Sequence, residues 1–399
     1  MEPKLGWVWL SQSERMAAEA SLDDAGLEGT RDELGFGVIH FAYADLFFPG
    51  TSVQHTSLRY VWFIAWALEE MAQRSPGGDF PEPMFREIED RTGHRLIEHY
   101  GRGDRTGIIG GRVLRKGGSP VSKPSAIYWS ALRTWGLLAP LPSTGIAPHR
   151  GDLDRCWDQL TRRDRLEVDA AGRGDFFLDP PPMPAGWSRK RGALDFELDA
   201  GKLEGERILA AWSRLGYPNE APLLSRLAAR RRCAPDALNS RAVRQLCTDD
   251  EKRKLDRADQ AASLVCIARA LYVAMVGDLK RTDGATVPAP DTMLATTLAD
   301  HADKALTLDL DELRNDVTAV GGLRPLLATT QEWLSGDRGD YSAMRPTFLA
   351  REFDLKGDRA LLLQGSLDRR AQWSPFEPRP LTYRWEKVAR FLDELAPRA

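Results

Sequence analysis

The segment "DQAASLVCIARALYVAMVGDL" (residues 259–279) decides the fold class. Its apolar residues cover a wide arc at helical spacing, which predicts a helix that crosses a hydrophobic core. A second stretch, residues 61–68, is apolar nearly all round and predicts another fully buried helix. Because helical periodicity dominates elsewhere and convincing β-alternation is scarce, the sequence predicts a mainly α, multi-helical fold.

Capping signals place several of the helix starts. Thr30 with Glu33, and Thr51 with Gln54, each have capping-box spacing, which predicts helices that begin at residues 30 and 51. Proline at the start and Gly101 past the end predict a helix over residues 81–101. Helical patterns are also found in residues 14–25, 125–136, 198–280 and 381–396.

Few short strands are expected, and the chain is long enough for two or three domains. The strand candidates are residues 110–117, 174–180 and 358–366. Stretches rich in Gly and Pro predict an N-terminal helical domain, an irregular linker region and a C-terminal helical domain, with a sub-boundary near residues 282–292. The predicted bounds are 1–140, 141–195 and 196–399.

Composition places the chain among ordinary globular proteins, with 42% hydrophobic and 28% charged residues. The net charge of −3 argues against a protein that coats nucleic acid over its whole surface, although local patches still bind polyanions. Four scattered cysteines, with no CxxC pair, are typical of reduced thiols rather than of disulfides or zinc sites. With no signal-peptide pattern at the N-terminus, we expect a cytoplasmic protein.

No membrane interaction is expected from the most apolar run. Residues 61–68 are bounded by Arg59 on one side and by Glu69 and Glu70 on the other. A helix that crosses a bilayer needs about 20 consecutive apolar residues, so this run is too short.

Basic residues are concentrated in two stretches. Residues 86–123 carry nine Lys or Arg against five Asp or Glu, residues 225–257 carry ten against five, and residues 283–319 reverse the balance with two against eight. Basic helical segments on one surface would bind a phosphate backbone. The alternative is that the arginines solvate helices and pair with the acidic segment. The candidate phosphate contacts are Arg112, Arg115, Lys116, Lys123, Arg133, Arg230, Arg231 and Arg232.

The stretch around Lys123 favours nucleic acid. A Gly-, Arg- and Lys-rich loop leads into "KPSAIYWSALRTWGLLAP" (residues 123–140), whose end is similar to the last helix of a winged-helix unit. We therefore expect a winged-helix-like unit around residues 100–140. Tyr128, Trp129 and Trp135 either stack on bases or, as short amphipathic helices more often require, belong to the core.

A metal-dependent nuclease is the main alternative. The Asp-x-Lys spacing of such enzymes occurs at Asp354 and Lys356, and again at Asp278 and Lys280, but neither lies in a convincing strand. Asp90, His94 and Glu98 share one helical face, where ion pairing explains them more simply than a metal does. The glycine loops lack a P-loop ending, and no serine or cysteine has the context of a nucleophile. We expect no metal, no cofactor and no catalysis.

The turn "FPGTSVQHTSLRY" (residues 48–60) leads into the buried run and carries Arg59. An unpaired buried arginine is costly, so we expect a carboxylate partner, with Asp32, Glu33 and Asp45 as the candidates. This segment is interpreted as structural, and the search for function moves to the arginine-rich loop before Tyr128.

The chain resembles an uncharacterised bacterial family of similar length. The resemblance rests on "LGWVWLSQSER" (5–15), "TRDELGFGVIHFAYADLFFPGTSVQHTSLRYVWFIAW" (30–66), "IIGG" (108–111) with "PSAIYWSALRTWGLL" (124–138), and "PLTYRWEKVARFLDEL" (380–395). The family reads Gln-Thr-Arg-Ala-Arg-Tyr where this chain reads "QHTSLRY" (54–60), without the first arginine. The resemblance implies proximity to helicases, methylases and ATPases in phage-defence or mobile-element loci.

Together these features predict a non-catalytic accessory protein of a bacterial DNA-associated defence or mobile-element system. It would bind nucleic acid, duplex DNA above all, or a partner protein of a defence complex through basic helical surfaces. A purely structural adaptor is the third reading.

Overall fold

The computed structural model describes residues 33–101, 107–141, 144–161, 180–198, 203–216, 220–287 and 291–397. All regular structure in these ranges is helical, with sixteen α-helices, short 3-10 turns and no β-sheet. The predicted mainly α, multi-helical fold is therefore confirmed.

The first eight helices in chain order are α1 (Gly37–Phe47), α2 (Tyr60–Arg74), α3 (Glu82–Tyr100), α4 (Gly111–Arg115), α5 (Pro124–Thr134), α6 (Leu153–Thr161), α7 (Leu203–Ser213) and α8 (Leu223–Ala229). The remaining eight are α9 (Arg241–Arg244), α10 (Asp249–Thr282), α11 (Asp291–Leu306), α12 (Leu310–Asp316), α13 (Arg324–Ser335), α14 (Arg345–Lys356), α15 (Leu367–Gln372) and α16 (Trp385–Leu395).

The chain forms two compact units that interleave along the sequence. Among described residues, unit 1 contains 48–234 and 386–397, and unit 2 contains 33–47 and 235–385. Unit 1 therefore holds α2–α8 and nearly all of α16, and unit 2 holds α1 and α9–α15. The predicted boundaries at 140, 195 and 282–292 divide the chain differently and stay a prediction.

Unit 1 is built around α2, which is buried continuously from Tyr60 to Leu68. Its aromatic side chains pack against irregular segments as well as helices: Phe63 stacks on Trp187, and Tyr60 packs against Phe196 with ring centroids 5.3 Å apart. The prediction of a fully buried helix over residues 61–68 is confirmed.

The start of α2 differs from the prediction. Thr51 does not cap a helix; its hydroxyl donates to the Phe48 carbonyl (2.7 Å), and the helix begins only at Tyr60. The amides of Thr56 and Ser57 instead donate to the Tyr128 hydroxyl, and the Leu58 amide donates to Glu394 (2.7 Å). Contacts distant in sequence hold residues 51–58 outside the helix, so the capping-box prediction is wrong.

Unit 2 is built around α10, which packs against α11, α13 and α15. The predicted core helix over residues 259–279 is confirmed, because α10 is buried nearly throughout from Ala261 to Gly277. Thr248 and Glu251 form a reciprocal capping box at its start. The fully buried Glu352 accepts hydrogen bonds from the Tyr272 hydroxyl and from the amides of Leu361 and Leu362.

α10 is also long and apolar enough to cross a membrane by length and composition alone. Within unit 2, however, 83% of its most apolar window is buried. Such burial is what the core helix of a globular unit requires, so the hydropathy of α10 has a sufficient explanation inside the protein.

The strand predictions are wrong where the structure tests them. Residues 111–115 form the helix α4. The amides of Val113 and Leu114 both donate to the Gly110 carbonyl, and the Leu114 side chain packs on the α3 backbone at Gly93. Residues 358–366 form turns, and within them the amides of Leu361 and Leu362 donate to the Glu352 carboxylate. The third candidate strand lies, except for Pro180, outside the described residues.

The helix predicted from residue 30 begins at Gly37 instead, after a turn in which Gly35 has φ +77°. In that turn Glu33 pairs with Lys356 and so does not act as a capping residue. Thr30 and the helix predicted over residues 14–25 lie outside the described residues. The helices predicted over 81–101, 125–136 and 381–396 are confirmed by α3, α5 and α16.

Candidate nucleic-acid interface

The first cluster of predicted phosphate contacts is fixed against α3. Leu114 of α4 fills the space above Gly93, where an added Cβ would clash with its Cδ1. The turn that follows is tied to the same helix because Lys123 and Ser119 both bond to the Asp90 carboxylate. The basic segment of residues 111–123 is therefore a fixed feature of unit 1.

Within this segment, Arg112 and Lys116 are exposed and Arg115 is half-buried. Among the described residues, none forms a side-chain hydrogen bond or ion pair with Arg112 or Lys116. These two side chains present their charge to solvent, as a phosphate contact requires.

Lys123 and Arg133 have structural partners instead. Lys123 is only 5% exposed, and its ammonium pairs with Asp90 and donates to the Ser119 hydroxyl (2.7 Å). Arg133 donates from Nε to the Ala147 carbonyl (3.0 Å) and lies 2.9 Å from the His149 ring. Both side chains hold loops, so their charge is less accessible than that of Arg112 and Lys116.

Arg230, Arg231 and Arg232 follow α8. Arg231 adopts a left-handed conformation (φ 48°) and forms two hydrogen bonds of 2.6 Å with Glu206 of α7. This pairing raises the pKa of the Arg231 guanidinium. Arg232 is exposed, whereas Arg230 is half-buried. No described contact joins this cluster to residues 112–123, and the role of all eight residues stays a prediction.

The aromatic residues near Lys123 belong to the core. Tyr128, Trp129 and Trp135 are all at least 96% buried. The Tyr128 hydroxyl donates to the Ser57 carbonyl (2.7 Å), and the two indole nitrogens donate to the carbonyls of Pro148 and Pro49. The core interpretation is confirmed, and these rings are not exposed for stacking on bases.

A third basic element was not among the sequence-derived candidates. Arg189, Lys190 and Arg191 are consecutive, exposed and without side-chain partners among the described residues. The signal was present as "WSRKRG" (187–192), but the surrounding Pro-rich composition indicated a linker. In the structure this loop is anchored on α3, because Arg95 donates to the carbonyls of Trp187 and Gly192.

Residues of α3 contact both the basic segment of residues 111–123 and the loop of residues 187–192. A shallow depression of about 550 Å³ is lined by Pro83, Arg86, Glu87, Asp90, Arg91, His94 and Lys190. Lys190 comes from the 187–192 loop, and Asp90 is the residue that holds Lys123. The lining of the depression is mixed in charge, with Arg86, Arg91 and Lys190 beside Glu87 and Asp90.

Two stretches that carry the resemblance, residues 49–57 and 124–138, interlock in unit 1. Tyr128 of α5 and Trp135, directly after it, bind the backbone of residues 49–57, and the His55 ring stacks on Tyr128 with centroids 4.1 Å apart. Residues 3–148 match the model of a family of unknown function, DUF6361. Resemblance to an uncharacterised family is thus confirmed over those residues. No curated protein and no solved structure matches the chain.

The DUF6361 segment does not confirm the winged-helix prediction. A winged-helix unit needs a β-hairpin beside its helices, and the described residues between 107 and 141 contain α4 and α5 but no sheet. The two helices are held instead by α3, through Gly93, Asp90 and a hydrogen bond from the Ser125 amide to Glu89 (2.7 Å).

Outside the DUF6361 segment, the two Asp-x-Lys triplets lie on helices. Lys356 pairs with Glu33 and Glu352, and Lys280 donates to the carbonyls of Ala371 and Trp373. Because residues two apart on a helix point about 200° apart, Asp354 and Lys356 do not face a common ligand. Among described residues, no group of three or more His, Cys, Asp or Glu side chains is arranged to hold a metal ion.

Proposed function

We propose that this protein is a non-catalytic accessory protein that binds nucleic acid, with duplex DNA favoured, through the basic surface of unit 1. The observation that carries the proposal is the pair Arg112, on α4, and Lys116, directly after it, both exposed on a segment that Leu114 fixes to α3. Because the backbone that carries them is fixed, these cations bind phosphates with little loss of backbone entropy, and they release counterions from the DNA.

The charge pattern favours a polyanion over a small anion. The two cations are four residues apart on consecutive turns, and neither has a described carboxylate partner. A duplex presents one phosphate for about every 1.7 Å of its axis, so one ligand satisfies several such contacts at once. Binding of this kind is independent of sequence and falls with salt concentration.

The test is fluorescence anisotropy of a labelled duplex titrated with the full-length protein. Reversing both charges in R112E/K116E should weaken binding at low salt at least tenfold, because each contact becomes a repulsion. The matched control R345E/R359E reverses two exposed cations of unit 2 that have no ion-pair partner among the described residues, and it should leave the affinity unchanged. Equal affinities for wild type and R112E/K116E would count against the proposal.

The biological setting is part of the proposal and rests on the resemblance. Proximity to defence or mobile-element genes implies a cytoplasmic protein that acts beside a partner protein of a defence complex. Four free cysteines fit a reducing compartment. Co-expression of the chain with the product of an adjacent gene, followed by size-exclusion chromatography, tests for a stable complex; separate elution of the two proteins would contradict it.

A further inference from the structure

The loop of residues 187–192, here called the RKR loop, is anchored at its first residue by Trp187. The indole is 2% exposed, stacks on Phe63 and packs edge-on against Trp66, with ring centroids 6.0 and 5.4 Å away. The guanidinium of Arg91 lies 5.8 Å from the centre of the indole ring. Trp187 therefore joins the loop to α2 and α3 at the same time.

Arg95 of α3 closes the other end of the loop. It is buried and donates from Nε to the Gly192 carbonyl (2.7 Å) and from Nη1 to the Trp187 carbonyl (2.5 Å). The Gly192 amide donates to Glu98 (2.8 Å), and the Leu194 amide donates to the Arg95 carbonyl. Both ends of the RKR loop are thus bonded to one helix, which limits the entropy that its three central residues lose on binding.

The carboxylate of Glu98 is bonded to the backbone of the RKR loop, at the Gly192 amide, and not to its three cationic side chains. Arg189, Lys190 and Arg191 have no side-chain hydrogen bond or ion pair among the described residues. Among the described residues, the Arg95 guanidinium bonds to carbonyls, and its pKa is lowered by burial first, then by Arg91 and Arg189, while Glu98 and Glu70 act in the opposite direction. An anion at the loop would offset the positive charge there, as the buried carboxylate of Glu70 does for Arg91 elsewhere in unit 1.

The RKR loop and the Arg112–Lys116 element flank the same helix. Asp90, which holds the second element through Lys123, and Lys190 of the loop line one depression on α3. Both elements are attached to the middle of α3, the Arg112–Lys116 element through Leu114 at Gly93 and the RKR loop through Arg95. Phosphates recur about every 3.4 Å along each DNA strand, so a nucleic acid reaches both elements together. A single phosphate reaches only one.

We propose that the RKR loop is a second phosphate-contacting element of the nucleic-acid surface, on the opposite side of α3 from Arg112 and Lys116. This inference rests on the proposed function. Phosphates contact the two basic elements, while Glu87 and Asp90 in the lining of the depression disfavour phosphate there. The RKR loop is therefore a positioning contact for the backbone rather than a reader of bases.

The experiment measures duplex binding by anisotropy over a range of salt concentrations for four full-length proteins. These are wild type, R189A/K190A/R191A, the charge-preserving R189K/R191K, and R314A/R345A/R359A as the matched control. The control removes three exposed cations of unit 2 that have no described partner. All substitutions are at exposed side chains, and Trp187, Arg95 and Gly192 stay intact.

We expect R189A/K190A/R191A to bind the duplex at least tenfold more weakly than wild type. The slope of log K against log salt concentration should also become shallower by about 2–3. R189K/R191K and the control should keep the wild-type slope. An unchanged slope for R189A/K190A/R191A, in a wild type whose binding depends on Arg112 and Lys116, would overturn the RKR assignment and leave the proposed function standing. A wild type that does not bind at low salt would overturn both.

A competition arm separates nucleic acid from an acidic protein. Unlabelled duplex should displace the labelled duplex, whereas poly-glutamate of equal total charge should compete at least tenfold less well. The assignment to nucleic acid would be overturned if poly-glutamate competed as well as duplex with the wild type but no longer competed with R189A/K190A/R191A. That result would identify the RKR loop as a site for an acidic polypeptide.

Discussion

At the residue scale, Arg59 shows what sequence reasoning reaches and where it stops. The cost of burying a cation predicts a carboxylate partner, and the structure confirms one. The partners are Glu204, which accepts two hydrogen bonds of 3.1 Å, and Asp195; the predicted candidates Glu33 and Asp45 were wrong, and Asp32 lies outside the described residues. Glu33 and Asp45 pair with Lys356 and Arg384 in unit 2. The chemistry was predictable; partners 136 and 145 residues away were not.

Replacing Arg59 should strongly destabilise unit 1. Arg59→Met leaves Glu204, which is only 7% exposed, without its cation, and we expect a loss of about 3 kcal/mol in the free energy of unfolding. Arg74→Met is the control, because Arg74 lies half-exposed on the same helix and its partner Glu70 keeps Arg91. Urea denaturation measures both variants. Equal effects of the two substitutions would contradict the role of Arg59.

Glu89 should make stability depend on pH. Burial raises the pKa of its carboxyl from 4.5 to about 7, despite a hydrogen bond from the Ser125 amide. Between about pH 4.5 and 7, the folded protein therefore keeps the proton on Glu89, whereas the unfolded chain has lost it. The resulting stability is present below pH 4.5 and is lost as the pH rises through 7.

Glu89→Gln removes this proton and keeps an oxygen for the Ser125 amide. Between pH 5 and 8 the wild type should lose up to about 3 kcal/mol more than Glu89→Gln in the free energy of unfolding. Urea denaturation at both pH values measures it, with Glu87→Gln on the exposed face of α3 as the control. The same pH dependence in wild type and Glu89→Gln would refute the assignment.

At the element scale, helices with strong local signals were predicted and those fixed by distant contacts were not. α3 and α5 carry proline at their starts, and α10 carries a long apolar arc with a capping box. The start of α2 follows instead from Tyr128 and Glu394, which take the amides of residues 56–58. The 111–115 segment became a helix because Gly93 gives Leu114 a place to pack. The local sequence shows neither the distant hydrogen-bond partners of residues 56–58 nor the packing space at Gly93.

The turn before α2 depends on Gly50. It has φ +77°, and a Cβ there would lie 2.5 Å from Trp135 Nε1 and 2.9 Å from its Cδ1. Gly50→Ala should therefore cost about 2 kcal/mol or more, by backbone strain and by displacing Trp135. Gly151→Ala, which meets nothing within 4 Å, should change stability by less than about 1 kcal/mol. Thermal denaturation compares them; a Gly50→Ala protein as stable as wild type would contradict this account.

At the scale of the whole molecule, the near-neutral net charge conceals an uneven distribution of unpaired charge. In unit 2, Arg257, Arg324 and Arg244 pair with Asp316, Asp311 and Asp256, so much of the basic and acidic patterning is internal. In unit 1, Arg112, Lys116 and the RKR loop remain exposed without described partners, and unit 2 has such cations as well, including Arg345 and Arg359. Sequence counts located the basic stretches, but only the structure separates paired from unpaired cations.

The salt dependence of duplex binding by the full-length wild-type protein tests this account most directly. If five cations contact phosphates, log K should fall linearly with log salt concentration at a slope of about −4.5. These cations are Arg112, Lys116, Arg189, Lys190 and Arg191. Between about 50 and 200 mM KCl the affinity should fall by more than a hundredfold. Absence of binding at the lowest salt concentration, or binding whose slope is close to zero, would contradict the claim that unit 1 binds a nucleic-acid backbone.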